Sequence, residues 1–216
     1  MRADGTVLGR KFINFSSDKD HLYHVLGRIS RFQRERGSRQ VQDRWAYAKR
    51  LNVELSRKTA SAITEYAKEN KADVIAFEYL KMQGRISGKK KQKLHLWRKR
   101  DIQKICEHQA HRYGIRISRI SARNTSRLAC DGSGRVIRNM GNHSLCTFTT
   151  GKKYNSDLSA SYNIGARYFI RELLKPLPET ERSSLEAKVP AVKRRTACVY
   201  ADLRNLYLEM DVLKAA

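Results

Sequence analysis

Acidic residues and prolines are scarce in this sequence. Its 216 residues include 21 Asp and Glu against 45 Lys and Arg, which gives a formal net charge of +24. A soluble surface needs far less charge than this, so the composition favours a polyanionic partner such as nucleic acid. Because only 3 prolines interrupt the chain, we expect helix to dominate.

Long apolar runs and paired cysteines are also missing. No stretch approaches the roughly 20 apolar residues of a membrane-spanning helix, and the first five residues contain no signal-peptide core. We therefore expect an intracellular protein with no membrane partner. The cysteines are scattered without paired spacing, which favours reduced thiols over a disulfide framework. They are Cys106, Cys130, Cys146 and Cys198.

Helical periodicity alternates with short apolar runs, as is typical of α/β proteins. The pattern predicts helices over residues 18–36, 39–70, 94–113 and 156–174, two more helices in the tail, and strands over residues 73–80 and 115–120. Ser16, Ser17 and Asp18 are candidate caps of the first helix, and Gly37 is its predicted stop. The last helix carries an apolar stripe that should pack against the body or a partner: Val199, Leu203, Leu206, Met210 and Leu213.

The N-terminus predicts an unusual sheet. Asp4-Gly5 is a hairpin-turn signal, and Thr6–Ile13 reads as the returning strand. Only three residues precede the turn, so we expect that the sheet lacks its first strand or borrows one from elsewhere. The alternative is that Asp4-Gly5 is an ordinary loop.

Two acids lie at the ends of predicted elements. Glu78 follows the apolar run at the end of a strand that should be buried along most of its length, and Asp157 begins a helix. In a chain this basic, such carboxylates indicate a divalent-metal site that handles nucleic acid. The alternatives are a strand-end surface acid for Glu78 and a helix-cap or first-turn acid for Asp157.

A glycine-flanked run over residues 84–93 predicts a basic loop. Phosphate contact is one use for it, and a solvated linker is the alternative. From residue 121 to 153 the composition changes to Gly, Ser, Thr and Asn, which predicts a small lobe without helix.

Three blocks together resemble one family. They are ADVIAFEYL, which contains Glu78, then Asn124-Thr125-Ser126, and DLSASYNI, which begins at Asp157. In order and spacing they are similar to the TnpB-type (OrfB) proteins of bacterial insertion sequences, relatives of the type V CRISPR effectors. The resemblance covers essentially the whole chain.

The resemblance implies an α/β, RNase H-like (RuvC) nuclease fold in a protein that a guide RNA directs to DNA. Residues 1–120 would form a partial RuvC-like core without its first strand, and residues 121–155 a degenerate zinc-ribbon-like lobe that binds target nucleic acid. Residues 156–174 would be the final RuvC motif helix, and residues 175–216 a helical tail. The implied location is the bacterial cytoplasm, at the nucleoid.

The family's active site uses three acids. Glu78 matches the second acid and Asp157 the third, while no residue matches the first, which would lie on the strand before the Asp4-Gly5 turn. Glu78 and Asp157 are therefore the expected catalytic residues and ligands of Mg²⁺ (or Mn²⁺). Two metals must hold the attacking and leaving oxygens, so this chain alone should not cut efficiently, and whether it is an enzyme stays open.

The lobe resembles the family's zinc ribbon in position but lacks most of the ligands. Zinc ribbons use two C-x-x-C pairs, whereas Ser133 stands where the partner of Cys130 would lie and Cys146 has no partner. We expect a metal-free lobe held by turns, Leu145 and Phe148. The alternative is an unusual site formed by Cys130, His143 and Cys146.

The expected partners are DNA, a guide RNA and an N-terminal half supplied in trans. The expected nucleic-acid contacts are Lys89, Lys90, Lys91, Lys93, Arg123, Thr125, Ser126, Lys152 and Lys153. The leading hypothesis is the C-terminal, RuvC-derived part of a TnpB-type RNA-guided endonuclease. The alternatives are a non-catalytic DNA- or RNA-binding regulator and a decayed remnant.

Overall fold

The computed structural model of the chain describes residues 1–37, 41–79, 99–138, 141–194 and 196–215. The predicted basic loop at residues 84–93, with Lys89, Lys90, Lys91 and Lys93, lies outside these ranges. Its contacts with phosphate therefore remain a prediction.

Helices dominate the described residues, as the low proline content predicts. In chain order the elements are α1 (Ser16–Arg36), α2 (Gln42–Glu69), β1 (Val74–Tyr79), α3 (Lys99–His111), β2 (Arg116–Ser121), β3 (Ile137–Arg138), β4 (Leu145–Thr147), β5 (Lys153–Asn155), α4 (Ser156–Leu174), α5 (Glu179–Lys188), a 3₁₀ turn (Pro190–Lys193) and α6 (Tyr200–Ala215). The positions of α1, α2, β1, β2 and α4 match the prediction to within a few residues.

The strands form two small sheets in the described part of the chain. β1 pairs with β2 in one sheet, and the order of the second sheet is β3-β4-β5. Both strand pairs of the second sheet are antiparallel. In the second sheet Cys146 lies opposite Arg138 on one side and Tyr154 on the other. Residues 121–155 thus contain a three-stranded sheet, and their standing as a separate lobe stays a prediction.

The chain divides into two compact units. Unit 1 consists of the described residues of Met1–Arg10, Ala76–Lys81 and Ser118–Ala216, and unit 2 of those of Lys11–Ile75 and Met82–Ile117. Both predicted carboxylates, Glu78 and Asp157, belong to unit 1. The finer division at residues 120, 155 and 174 stays a prediction.

Unit 2 is built from α1, α2 and α3. Leu22, Val25 and Ile29 of α1 pack against Ala48 of α2. Further along α2 the buried positions are small or polar, among them Ala60 and Thr64, so another helix can approach closely. There the thiol of Cys106 on α3 donates to the Ala60 carbonyl, while Thr64 donates to the side chain of Gln109.

Unit 1 is built around α4, α5 and α6. Its main apolar cluster joins Ile170 and Leu174 of α4, Leu185 of α5, and Leu203 and Leu206 of α6. The predicted stripe on α6 therefore packs against the body of the unit. Its last member is the exception, because Leu213 is 40% exposed.

Three local predictions are wrong. Thr6–Ile13 contains no strand: the Asp4-Gly5 turn forms, since Gly5 N–H donates to the Arg2 carbonyl, but a strand also needs a hydrogen-bonded partner. No Ser or Asp side chain caps α1, whose N-cap is Phe15. β1 is half-buried along its length rather than buried, because in the described chain it pairs with one strand only.

None of the helices in the described ranges is both long enough and apolar enough to cross a membrane.

Candidate nucleic-acid site

Glu78 is the fifth residue of β1, where it is half-buried. It takes part in an interaction within the protein. Its neighbour Tyr79, at the end of the strand, is 54% exposed. Glu78 is thus next to the exposed end of β1, and its role as a metal ligand stays a prediction.

Asp157 is the second residue of α4 and is exposed. The residue that caps the helix is Asn155, whose Oδ1 accepts from the N–H groups of Asp157 (3.0 Å) and Leu158 (2.9 Å). Because the cap is made by Asn155, the carboxylate of Asp157 is left at the positive end of the helix dipole and open to solvent. Asn is among the strongest N-cap residues, so the sequence contained this signal.

The carboxylates do not complete a two-metal centre within the described residues. Across those ranges no three His, Cys, Asp or Glu side chains come together as a set of metal ligands. Two carboxylates match what one Mg²⁺ accepts beside its waters, but a two-metal site needs more. We therefore derive no catalytic step from this arrangement.

The structure joins two of the three sequence blocks. Asn163, in the block that begins at Asp157, is fully buried, and its Nδ2 donates to the carbonyls of Thr125 and Leu128, both at 2.9 Å. Its Oδ1 accepts from Tyr200 N–H at 3.0 Å. The side chain of Asn163 thus links α4, the Asn124-Thr125-Ser126 loop and the start of α6.

Arg167 makes the largest set of polar contacts on α4. It is 4% exposed, and its guanidinium donates to four backbone carbonyls. The acceptors are Ser121 (3.0 Å), Arg123 (2.7 Å), Thr196 (2.8 Å) and Cys198 (2.9 Å). Burial lowers the pKa of this guanidinium, yet an arginine stays charged, so the carbonyls stabilise a buried cation.

Polar residues recur every four positions along α4. Ser159 accepts from Cys130 N–H at 3.2 Å, and Arg171 donates to Ser118 Oγ at 2.9 Å. With Asn163 and Arg167 between them, these residues form a stripe on one helix face. We call Ser159, Asn163, Arg167 and Arg171 the α4 ladder. Its hydrogen bonds attach the chain between Ser118, in the middle of β2, and Cys130 to α4.

The loop after β2 turns its carbonyls towards the ladder and several side chains outward. Arg123, Ser126 and Arg127 are exposed. Arg138 of β3 is also exposed, and it donates to the Ser126 carbonyl at 2.9 Å. The exposed side chains of Arg123, Ser126, Arg127 and Arg138 thus form a cationic surface, which we call the loop surface.

The other expected contacts divide into two kinds. Lys152 and Lys153 are exposed, and the Lys152 ammonium lies 5.2 Å from the centre of the Tyr154 ring. Thr125 is instead 2% exposed, and its hydroxyl donates to the Ala122 carbonyl. In this structure Thr125 therefore supports the loop from inside.

The cysteines of the lobe lie in an apolar cluster. Cys130 and Cys146 pack with Phe148 and Tyr162, and the Cys146 thiol donates to the Tyr154 carbonyl at 3.5 Å. Burial raises the pKa of the Cys130 thiol, which disfavours the thiolate that zinc needs. Phe148 is buried in this cluster, whereas Leu145 is 40% exposed.

Sequence reasoning missed the α4 ladder and two cations of the loop surface. Asn163 and Arg167 lie four residues apart in a largely apolar helix, which is a detectable signal for a buried polar stripe. Their acceptors are backbone carbonyls far away in sequence, however, and no side-chain pattern marks them. Arg127 and Arg138 lie outside the three blocks, so the resemblance did not point to them.

The fold of this chain is similar to that of a solved protein. No family model matches the chain, and neither does any curated protein. A solved structure of Cas12f1 in complex with sgRNA and target DNA is similar to it, with a TM-score of 0.50 and 18% sequence identity. The match covers 74% of this chain and 44% of that one, so this chain spans less than half of the Cas12f1 chain. The mixed α/β chain described above therefore shares its fold with part of Cas12f1.

Proposed function

We propose that this chain is the RuvC-derived, C-terminal part of a TnpB-type RNA-guided DNA endonuclease, and that it binds guide RNA and DNA through phosphates. The observation that carries the proposal is the fold shared with part of Cas12f1, a protein seen bound to sgRNA and target DNA. The net charge of +24 and the exposed loop surface support it, because phosphate contacts supply most of the sequence-independent affinity for nucleic acid.

Glu78 and Asp157 are the proposed metal ligands for Mg²⁺ or Mn²⁺. Both residues belong to unit 1, and they lie on β1 and α4 respectively. A third carboxylate would have to come from outside the described residues, and a segment supplied in trans is the proposed source. The bound metals would supply the activated water and stabilise the leaving oxygen. The chain's own part is to hold two ligands and to place the nucleic acid.

Reconstitution tests this proposal. The chain is mixed with a separate segment that carries an aspartate on a RuvC first strand, with guide RNA, Mg²⁺ and a matching DNA. We expect cutting of the matching DNA only. Glu78→Gln and Asp157→Asn should each reduce it by more than the ~10–100-fold typical of changes beyond the metal ligands. Glu179→Gln, at an exposed acid on α5, is the matched control and should cut normally. If the two parts associate but no DNA is cut, the nuclease part of the proposal is wrong.

A second candidate is a non-catalytic DNA- or RNA-binding regulator, and the incomplete carboxylate set favours it. In that case Glu78→Gln and Asp157→Asn should leave both affinity and salt dependence unchanged, and no added segment should produce cutting. A decayed remnant would show no cooperative thermal transition. A single sharp transition of the purified chain would contradict that third possibility.

A further inference from the structure

We infer that Arg167 is a positioning residue for the loop surface, and that through Arg167 the C-terminal segment 196–201 belongs to the nucleic-acid binding machinery. The inference rests on the proposed function, because it assumes that the loop surface contacts phosphates. It gives Arg167 and segment 196–201 a role in binding that they exert by holding the loop surface in place, without contacting nucleic acid.

The first step concerns what Arg167 holds. Two of its carbonyl acceptors, Ser121 and Arg123, lead into the loop, and the other two, Thr196 and Cys198, precede α6. One rigid guanidinium therefore fixes two chain segments that are over seventy residues apart in sequence. A lysine has the same charge but only three donors on a point-like ammonium, so it cannot span these four acceptors.

The second step concerns side-chain direction. When the carbonyls of Ser121, Arg123 and Thr125 turn inward to Arg167 and Asn163, the main-chain path of the loop is fixed. The exposed side chains of Arg123 and Arg127 then stand on a backbone with little freedom. A preorganised arginine side chain loses less conformational entropy on binding phosphate than a mobile one does.

The third step concerns the C-terminal segment, which also contacts the loop region without Arg167. Ala201 N–H donates to the Cys130 carbonyl at 3.0 Å, and Tyr200 N–H donates to Asn163. These bonds close a ring of contacts from the loop through α4 to the start of α6. A change that makes the loop at residues 122–127 more mobile should therefore make segment 196–201 more mobile too, and the reverse should also hold.

Salt-dependent binding of a short labelled single-stranded RNA tests the role of Arg167. The quantity measured is the slope of log K against log salt concentration, which changes by ~0.7 for each phosphate contact of a single strand. Replacing both Arg123 and Arg127 by Gln should make the slope shallower by about 1.4. Arg167→Lys should make it shallower by about 1, although charge is conserved and the side chain is too buried to touch phosphate. Adding Arg167→Lys to the Arg123/Arg127 variant should then change nothing further.

The matched control is Arg182→Lys. Arg182 is partly buried and, like Arg167, donates to a backbone carbonyl, that of Leu177, but it is not bonded to the loop. Its replacement should lower stability without changing the slope. A wild-type slope for folded Arg167→Lys, with a shallower slope for the Arg123/Arg127 variant, overturns this inference and leaves the proposed function standing. If the Arg123/Arg127 variant also keeps the wild-type slope, phosphate binding by the loop surface is itself wrong.

Hydrogen exchange of the wild-type chain decides the matter if Arg167→Lys does not fold. Bound RNA should slow exchange of the Tyr200 and Ala201 amides by about threefold or more, because ordering the loop tightens the ring of contacts. Unchanged exchange at these amides, with protection at residues 122–127, would overturn the coupling.

Discussion

At the scale of single residues, two glycines of α1 show how backbone conformation alone decides the effect of a substitution. Gly27 lies inside the helix and Gly37 follows its end, and a Cβ added at either would meet open space. They differ because Gly37 has φ 79° and ψ 178°, a region that is essentially restricted to glycine.

Opposite effects on stability are therefore expected from alanine at these two positions. Gly27→Ala should raise the free energy of unfolding by about 1 kcal/mol through helix propensity. Gly37→Ala should lower it by about 1–3 kcal/mol through backbone strain. Urea unfolding of both variants checks this, and shifts in the same direction would contradict it.

Asp202 provides a test of pH dependence. Burial raises the pKa of its carboxyl, an effect that the hydrogen bond from Val199 N–H (2.8 Å) partly offsets. The folded state therefore holds this proton more tightly than the unfolded state. Stability is lost as pH rises from the unfolded pKa of about 3.9 through the raised folded pKa.

Asp202→Asn isolates this effect, since the other acids cancel in the comparison. The free energy of unfolding of the wild type minus that of the variant should fall as pH rises through this window, and it should be constant at higher pH. The measurement is a series of denaturant titrations at increasing pH. A difference that stays flat or rises with pH would show that burial does not control this carboxyl.

At the scale of elements, α4 holds unit 1 together through its polar ladder as well as through its apolar face. Asn163→Ala removes three hydrogen bonds at a fully buried position and should cost about 3 kcal/mol. Ser161→Ala, on the exposed side of the same helix, should change stability by no more than about 0.5 kcal/mol. Thermal unfolding of the two variants compares their stabilities. Equal losses of stability would contradict a specific contribution of the α4 ladder.

The elements also show what a sequence can predict. Helices α2 and α4 were predictable because their apolar residues recur over several turns, and β2 because Ile alternates with Arg and Ser. The predicted strand over Thr6–Ile13 is absent, because a strand needs a hydrogen-bonded partner as well as a favourable sequence. Glu78 and Asp157 lie near the starts or ends of regular elements, as predicted. Asn163 and Arg167 escaped prediction because their acceptors are backbone atoms that only the fold brings close.

At the scale of the whole molecule, charge and fold point in the same direction. A net charge of +24 opposes a compact state through self-repulsion, and a polyanionic partner would relieve it. The fold shared with part of Cas12f1 makes RNA and DNA the proposed partners.

The central claim is that the chain binds nucleic acid through its phosphates, and the most direct test is the salt dependence of wild-type binding. Isotherms for a short single-stranded RNA are measured at a series of salt concentrations. Contacts with four or more phosphates predict that log K falls linearly with log salt concentration, with a slope of about −3 or steeper. A slope near zero, or no binding at low salt, would contradict the account.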